Sequence, residues 1–84
     1  MSNWYLDYKV KYFLRFRHDD GRTEVRRNII IIEARSEDEA RKKILYQYEY
    51  GHNAMIDFPA GWDPRTGTEE FGIDEIEKVW EYSG

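Results

Sequence analysis

The chain has no cysteine, only two prolines and two histidines, and no long apolar run. Without cysteine it can form neither a disulfide framework nor a thiolate zinc site, and it has no thiolate nucleophile. The longest aliphatic run, Ile29 to Ile32, is far too short to span a membrane. Met1 to Trp4 lacks the basic start and apolar stretch of a signal peptide, so we expect a cytoplasmic protein with no membrane partner.

What is present is typical of one small folded domain. The 84 residues are 40% hydrophobic, 17% aromatic and 36% charged, which is enough apolar material for one core and too much for a disordered tail. We therefore expect residues 1–84 to form a single α+β domain.

The net charge of −4 is divided unevenly along the chain. Residues 1–45 carry eleven lysines and arginines against eight acids, whereas residues 46–84 carry two against nine. The two halves either neutralise each other across a sheet or form separate basic and acidic docking surfaces.

The first part of the chain predicts a β-hairpin. Apolar and polar residues alternate through residues 4–17, which is the two-residue period of a half-buried strand. Asp20-Gly21 suits a two-residue type I′ turn, and residues 23–33 would return as the second strand. This turn sets Phe16 opposite Val25, so that apolar residues of both strands share one face.

The other face of this predicted hairpin is basic. In the expected register the first strand contributes Lys9, Lys11, Phe13, Arg15 and Arg17 to it, and the second strand adds Glu24, Arg26, Asn28, Ile30 and Ile32. Arginines around an exposed aromatic ring are typical of sheets that stack bases and clamp phosphates. The alternative is an ordinary solvated face, whose cations pair with Glu24 and with an acidic third strand. Ile30 and Ile32 on this face suggest that the 59–72 loop, a second chain or a partner covers part of it.

A helix is predicted over residues 37–50. Ser36 and Glu39 have the spacing of a capping box, in which Ser36 accepts from the Glu39 amide and the Glu39 carboxylate accepts from the Ser36 amide. One stripe of this helix would cover the apolar face of the hairpin, and its members are Ala40, Ile44 and Tyr48.

The remainder of the chain is less regular. Residues 54–58 could form a short strand, and the prolines and glycines of residues 59–72 predict a long loop. We favour a strand over a helix for residues 73–82, because a third strand would complete a sheet that is only marginally stable with two. The predicted fold is therefore β1-β2-α-β3, an antiparallel sheet with one helix packed on one face. Within the loop, Trp62 is either a lid on the core or an interface anchor.

No motif indicates catalysis or a metal. The sequence has no G-x-S-x-G, no phosphate-binding glycine loop and no H-E-x-x-H. We interpret His18-Asp19-Asp20 as an exposed polar turn, and His52 with Asp57 lacks further recognisable ligands. The acidic residues from Glu69 to Glu77 are interpreted as a solvated edge, with imitation of a phosphate row as the alternative. We therefore predict no enzyme activity, no metal and no cofactor.

A family resemblance points in the same direction. The second predicted strand runs into Ala34-Arg35-Ser36-Glu37-Asp38-Glu39-Ala40 at the helix start. This order resembles small β-β-α-β proteins of bacteriophages and mobile elements, inhibitors among them, whose second strand runs into an A-x-S-x-x-E-A helix start. The resemblance covers roughly residues 8–50, and it implies a non-catalytic protein that binds and blocks a larger host protein.

Three functional hypotheses follow from the sequence. The first is a protein-binding module that uses Phe13, Arg15, Arg17 and Arg26 on the sheet, with Trp62 and Arg65 on the loop. The second is a nucleic-acid-binding domain that uses Lys9, Lys11, Phe13, Arg15 and Arg17. The third is a structural module that forms a homodimer through Ile30 and Ile32.

Overall fold

A computed structural model describes residues 5–51 and 58–79. These described residues form three strands and one helix in the order β1 (Leu6–Arg17), β2 (Thr23–Ala34), α1 (Glu37–Gly51) and β3 (Thr68–Val79). The strands form one sheet in the order β2-β1-β3, and β1 runs antiparallel to both neighbours. This is the α+β arrangement that the sequence predicts.

The core lies between one face of the sheet and α1. Alternate residues of β1 supply most of it, and they meet two residues of β2 and two of the helix. The buried members are Tyr8, Val10, Tyr12, Leu14, Phe16, Ile32, Ala34, Ala40 and Ile44. We call the side of the sheet that carries them the covered face, and the opposite side the open face.

The hairpin turn differs from the predicted one. The Gly21 amide donates to the His18 carbonyl (3.0 Å) and the His18 amide donates to the Arg22 carbonyl (2.8 Å). Gly21 has a φ of 92°, and no described residue other than glycine has a positive φ. These features define a three-residue loop, a type I turn followed by a left-handed glycine, whereas a type I′ turn would require a positive φ at Asp20 as well.

The register of the hairpin is therefore one residue away from the predicted one. Phe16 pairs with Glu24, not with Val25, and Val10 pairs with Ile30. Since side chains alternate between faces, this shift exchanges the two faces of β2. Ile30 and Ile32 lie on the covered face, contrary to the expectation, and the exposed isoleucines of the open face are Ile29 and Ile31.

The reason for the observed register lies at both ends of β2. Ala34 is fully buried on the covered face, at the place where the chain turns into α1. The predicted register would turn the charged Glu33 towards this face instead. At the other end Glu24 accepts a hydrogen bond from the buried His18 (2.6 Å), which satisfies a polar ring that the core would otherwise leave unpaired.

Helix α1 begins as predicted and is capped in a slightly different way. The Glu39 amide donates to Ser36 Oγ (3.1 Å), as expected for an N-cap serine. The Glu39 carboxylate, however, accepts from the amide of Arg35 (2.6 Å) and not from that of Ser36. It also binds the Arg35 guanidinium (3.1 Å), and these contacts together lower the pKa of Glu39.

Strand β3 confirms the preference for a strand after residue 73, but it is longer than expected at its start. It begins at Thr68, so residues 68–72 belong to the sheet and not to the predicted 59–72 loop. Lys11 pairs with Glu75 and Tyr12 with Ile73, so Asp74 forms a bulge. Phe58 lies outside any strand, while residues 54–57 and 80–82 of the predicted strands lie outside the described residues.

Candidate functional site

The open face presents three parallel rows of side chains, one from each strand. The central row is basic and aromatic, the β2 row is largely aliphatic, and the β3 row is acidic. The central row comprises Lys9, Lys11, Phe13, Arg15 and Arg17, the β2 row Val25, Arg27, Ile29 and Ile31, and the β3 row Glu70, Gly72, Glu75 and Glu77. The sheet thus brings together the central residues that the sequence singled out.

The cations of the central row face carboxylates of β3 at short range. The pairs are Lys9–Glu77 (3.8 Å), Lys11–Glu75 (3.3 Å) and Arg15–Glu70 (2.5 Å). All six side chains are substantially exposed, so each pair contributes little to stability. Their main effect is on the surface potential, because a row of carboxylates lies beside the row of cations and offsets it.

The Phe13 ring packs on β3 at a position where β3 has no side chain. The Phe13 ring lies over Gly72, its cross-strand partner, and a Cβ at Gly72 would collide with the ring. The Arg15 guanidinium lies 5.4 Å from the centroid of the same ring, which is a cation–π distance. Phe13 is therefore only partly exposed, and its face is shared between a glycine and an arginine.

Arg17 is the cation of this row for which the described residues offer no ion-pair partner. Its carbonyl oxygen accepts a hydrogen bond from Trp62 Nε1 (3.2 Å), while its side chain is exposed at the turn end of β1. Among the central-row cations, Arg17 is thus the one most available to a ligand.

The aliphatic residues of β2 are the most exposed part of the open face. Ile29 and Ile31 are 54% and 55% exposed, and Val25 is 37% exposed. No described element covers them. A shallow groove of about 420 Å³ lies beside Ile29, and it is lined by Lys11, Arg27, Asn28, Ile29 and Asp74. The predicted two-residue turn placed Ile29 and Ile31 on the apolar face, and the four consecutive isoleucines offered no alternation that contradicted this placement.

Arg26 is not part of this site. It was predicted beside Phe13 and Arg15, but the one-residue shift places it on the covered face, opposite Leu14. There it extends beyond the core and binds Glu24 (3.4 Å). Arg27, its neighbour in β2, lies on the open face and binds Asp74 (3.4 Å).

His18 is buried, contrary to the exposed turn that the sequence predicted. Only 4% of its surface is accessible, and its Nε2 lies 2.6 Å from Glu24 Oε2. The hydrogen bond with His18, followed by the charge of Arg26, lowers the pKa of Glu24. The hydrogen bond with Glu24 therefore gives the buried imidazole a polar partner at the end of the core.

The two loop residues of the first hypothesis differ in their roles. Trp62 packs against the core, with its ring 5.0 Å from that of Phe16 and stacked on that of Phe58 at 5.4 Å. This agrees with the lid interpretation, because the indole is committed to internal contacts. Arg65 is highly exposed and binds the neighbouring Asp63 (3.2 Å), whose pKa this contact lowers.

Tyr48, a titratable side chain of α1, has a structural partner on β3. Tyr48 donates a hydrogen bond to Glu69 Oε2 (2.7 Å). The burial of Tyr48 and this hydrogen bond both raise its pKa.

In the part of the chain that the structure describes, no three histidine, cysteine or acidic side chains form a metal-binding group. His52 and Asp57 lie outside the described residues. The helices of the described part also include none with the length and apolarity needed to cross a membrane.

Comparison with protein-family models, with curated proteins and with solved structures finds no match for this chain. The resemblance to small bacteriophage and mobile-element proteins therefore stays a prediction from the sequence.

Proposed function

We propose that this chain is a non-enzymatic protein-binding module that binds its partner through the open face of the sheet. The observation that carries the proposal is the exposure of Ile29 and Ile31, each more than half accessible on a face that no described element covers. Aliphatic side chains concentrated on one exposed face are typical of interaction sites. Lys11 and Arg27 at the rim of the adjacent groove supply the polar contacts that surround an apolar centre in many interfaces.

The resemblance of residues 8–50 extends the proposal to the kind of partner. It supports a larger host protein, bound and blocked by a cytoplasmic phage or mobile-element inhibitor. Within the site, Phe13, Arg15 and Arg17 are the flanking residues that remain from the sequence-based hypothesis. Arg26 leaves the site, since it lies on the other face, and Trp62 contributes indirectly by packing on Phe16.

The nucleic-acid alternative has weaker support. Counterion release requires cations that exchange their ions for phosphates, and three of the central-row cations already face carboxylates of β3. Those carboxylates would also repel a phosphate backbone. Arg17 and the contact of Arg15 with Phe13 are the features that favour this alternative.

The test is affinity capture with three forms of the protein: wild type, Ile29→Lys/Ile31→Lys, and Leu45→Lys as control. Leu45 is also an exposed aliphatic residue (43%), but it lies on α1. We expect wild type and Leu45→Lys to retain the same partner and the double variant to lose it. Equal retention by all three forms would contradict the proposal.

A second experiment tests the nucleic-acid alternative. Labelled single- and double-stranded oligonucleotides are titrated with the protein at a series of salt concentrations, and binding is followed by fluorescence anisotropy. We expect no binding that weakens linearly on a log–log salt plot. Such binding, lost in Arg15→Glu/Arg17→Glu, would replace the protein-binding proposal with the nucleic-acid one.

A further inference from the structure

The outer edge of β2 has backbone groups at its aliphatic centre that no described strand pairs with. β2 pairs with β1 on one side, and no described strand pairs with it on the other. His18 and Arg22 form a hydrogen-bonded pair at the turn. In an antiparallel ladder without a bulge, hydrogen-bonded pairs alternate with pairs whose N–H and C=O groups point away from the partner strand. Counting along the ladder from His18–Arg22, the pairs that contain Ile29 and Ile31 are of the second kind, so their backbone groups point away from β1.

The contact of the Ile29 amide agrees with this assignment. Its N–H donates to the side-chain Oδ1 of the preceding Asn28 (2.9 Å) and not to a carbonyl of β1. A long edge strand with exposed aliphatic side chains and outward backbone groups is a template for another strand. β2 fits this description over its 12 residues, which contain no proline and no irregularity in their pairing with β1.

We propose that the occupant of this edge is the β2 strand of a second copy of this chain, paired antiparallel about a two-fold axis at Ile30. The inference rests on the proposed function, because it uses the same open face. In this arrangement the two three-stranded sheets join into one sheet of six strands, and the covered faces of both copies lie on the same side.

The charges of β2 select this register. With the axis at Ile30, Ile29 faces Ile31 of the second copy, and Arg27 faces Glu33. The two-fold symmetry repeats both pairs, so four isoleucines on the open face are flanked by two ion pairs. The side chains are available, since Arg27 is 69% exposed with one contact to Asp74 at 3.4 Å. The Glu33 carboxylate, also exposed, has no ion pair within the described residues.

Neighbouring registers lack this complementarity. An axis at Ile29 places Arg27 opposite Ile31 and Val25 opposite Glu33, which leaves both charges against aliphatic side chains. An axis at Ile31 places Ile29 opposite Glu33. A register with the axis between two of these residues is excluded, because it would place each open-face residue of one copy opposite a covered-face residue of the other.

The test is a charge exchange followed by analytical ultracentrifugation over a range of protein concentrations. The wild type should approach twice the 10.2 kDa monomer mass as concentration rises. Arg27→Glu alone places like charges opposite each other twice in the dimer and should weaken association by about tenfold or more. Arg27→Glu/Glu33→Arg exchanges the two charges, so that both ion pairs between the copies form again with their signs reversed. This double variant should therefore restore association.

A matched control and a second measurement distinguish this arrangement from other dimers. Arg41→Glu, which reverses an exposed cation on α1, should associate like the wild type. Amide hydrogen exchange in the wild type should show the N–H groups of Ile29 and Ile31 becoming protected as concentration rises. A 10.2 kDa particle at every concentration, or a dimer that the Arg27→Glu exchange leaves unchanged, would overturn the inference.

Failure of this inference is separable from failure of the proposed function. A strictly monomeric protein that loses a captured partner on Ile29→Lys/Ile31→Lys would keep the protein-binding proposal and exclude self-association. A dimer that follows the charge-exchange pattern, with no partner lost by the same double variant, would keep the dimer and exclude a separate partner at this face.

Discussion

Strands β2 and β3 flank the same central strand and have 12 residues each. They differ in the regularity of their pairing and in the side chains that they expose. β3 contains a bulge at Asp74 and presents carboxylates that face the cations of β1. β2 has no bulge and presents Ile29 and Ile31 to solvent. Bulges and charges are the usual means by which an edge strand avoids pairing with other chains. One edge of this sheet therefore carries a bulge and charges that discourage strand pairing, whereas the other exposes aliphatic side chains beside a regular strand.

The largest expected effect tests how the two faces of β2 differ. Ile32→Ala removes a side chain that is 5% exposed in the core, so we expect a loss of about 2–4 kcal/mol in the free energy of unfolding. Ile31→Ala removes an adjacent side chain that is 55% exposed, and its cost should be below about 1 kcal/mol. Urea denaturation followed by circular dichroism measures both. Equal losses would mean that the open face of β2 is covered.

The second effect concerns β3, where Gly72 accommodates the ring of Phe13. Gly72→Ala should cost about 1 kcal/mol, because the new Cβ collides with the ring and forces it aside. In a Phe13→Ala background the same substitution should cost nothing, and a double-mutant cycle measures the difference. Gly51→Ala is the control, since among the described residues no atom beyond its chain neighbours and its own helix backbone lies within 4 Å of a Cβ built there. An unchanged cost of Gly72→Ala in both backgrounds would show that the ring does not depend on this glycine.

The smallest effect is in the pH dependence of stability and concerns the turn end of β2. The folded pKa of Glu24 lies below its ordinary value of 4.5, first because of the hydrogen bond with His18. The ionised carboxylate therefore contributes stability above about pH 4.5, and this contribution is lost as pH falls through the lower folded pKa. Thermal unfolding from about pH 7 to about pH 3 should show a smaller decrease in Tm for Glu24→Gln than for the wild type. Parallel curves would mean that the His18 contact does not stabilise the folded state.

The sequence predicted the elements better than it predicted how they face one another. The alternation in β1 and the serine cap of α1 are local signals, and both led to the correct elements. The start of β3 was missed because Gly72 is a loop signal in isolation. Within β3, Gly72 leaves room for the ring of Phe13, which lies far away in the chain. The pattern of a single sequence does not show contacts between residues so far apart.

The site was only partly predictable for a related reason. Lys9, Lys11, Phe13, Arg15 and Arg17 were placed together correctly, because they depend only on the alternation within β1. Their neighbours depend on the turn, where Asp20-Gly21 fits two loop lengths. Choosing the shorter loop moved Arg26 onto the open face and Ile29 and Ile31 away from it. A glycine after two acids also suits the three-residue loop with a left-handed third position, which was the available signal.

The run from Ile29 to Ile32 has a further consequence for how the hairpin folds. A β2 strand shifted by one residue would still turn two isoleucines towards the core, so the slipped hairpin loses little apolar burial where the run pairs with β1. The preference for the native register then rests on the two ends of β2, where Ala34 is buried at the start of α1 and His18 bonds Glu24. We expect the slipped hairpin to be the main competing register, and the ends of the strand, not its apolar middle, to discriminate against it.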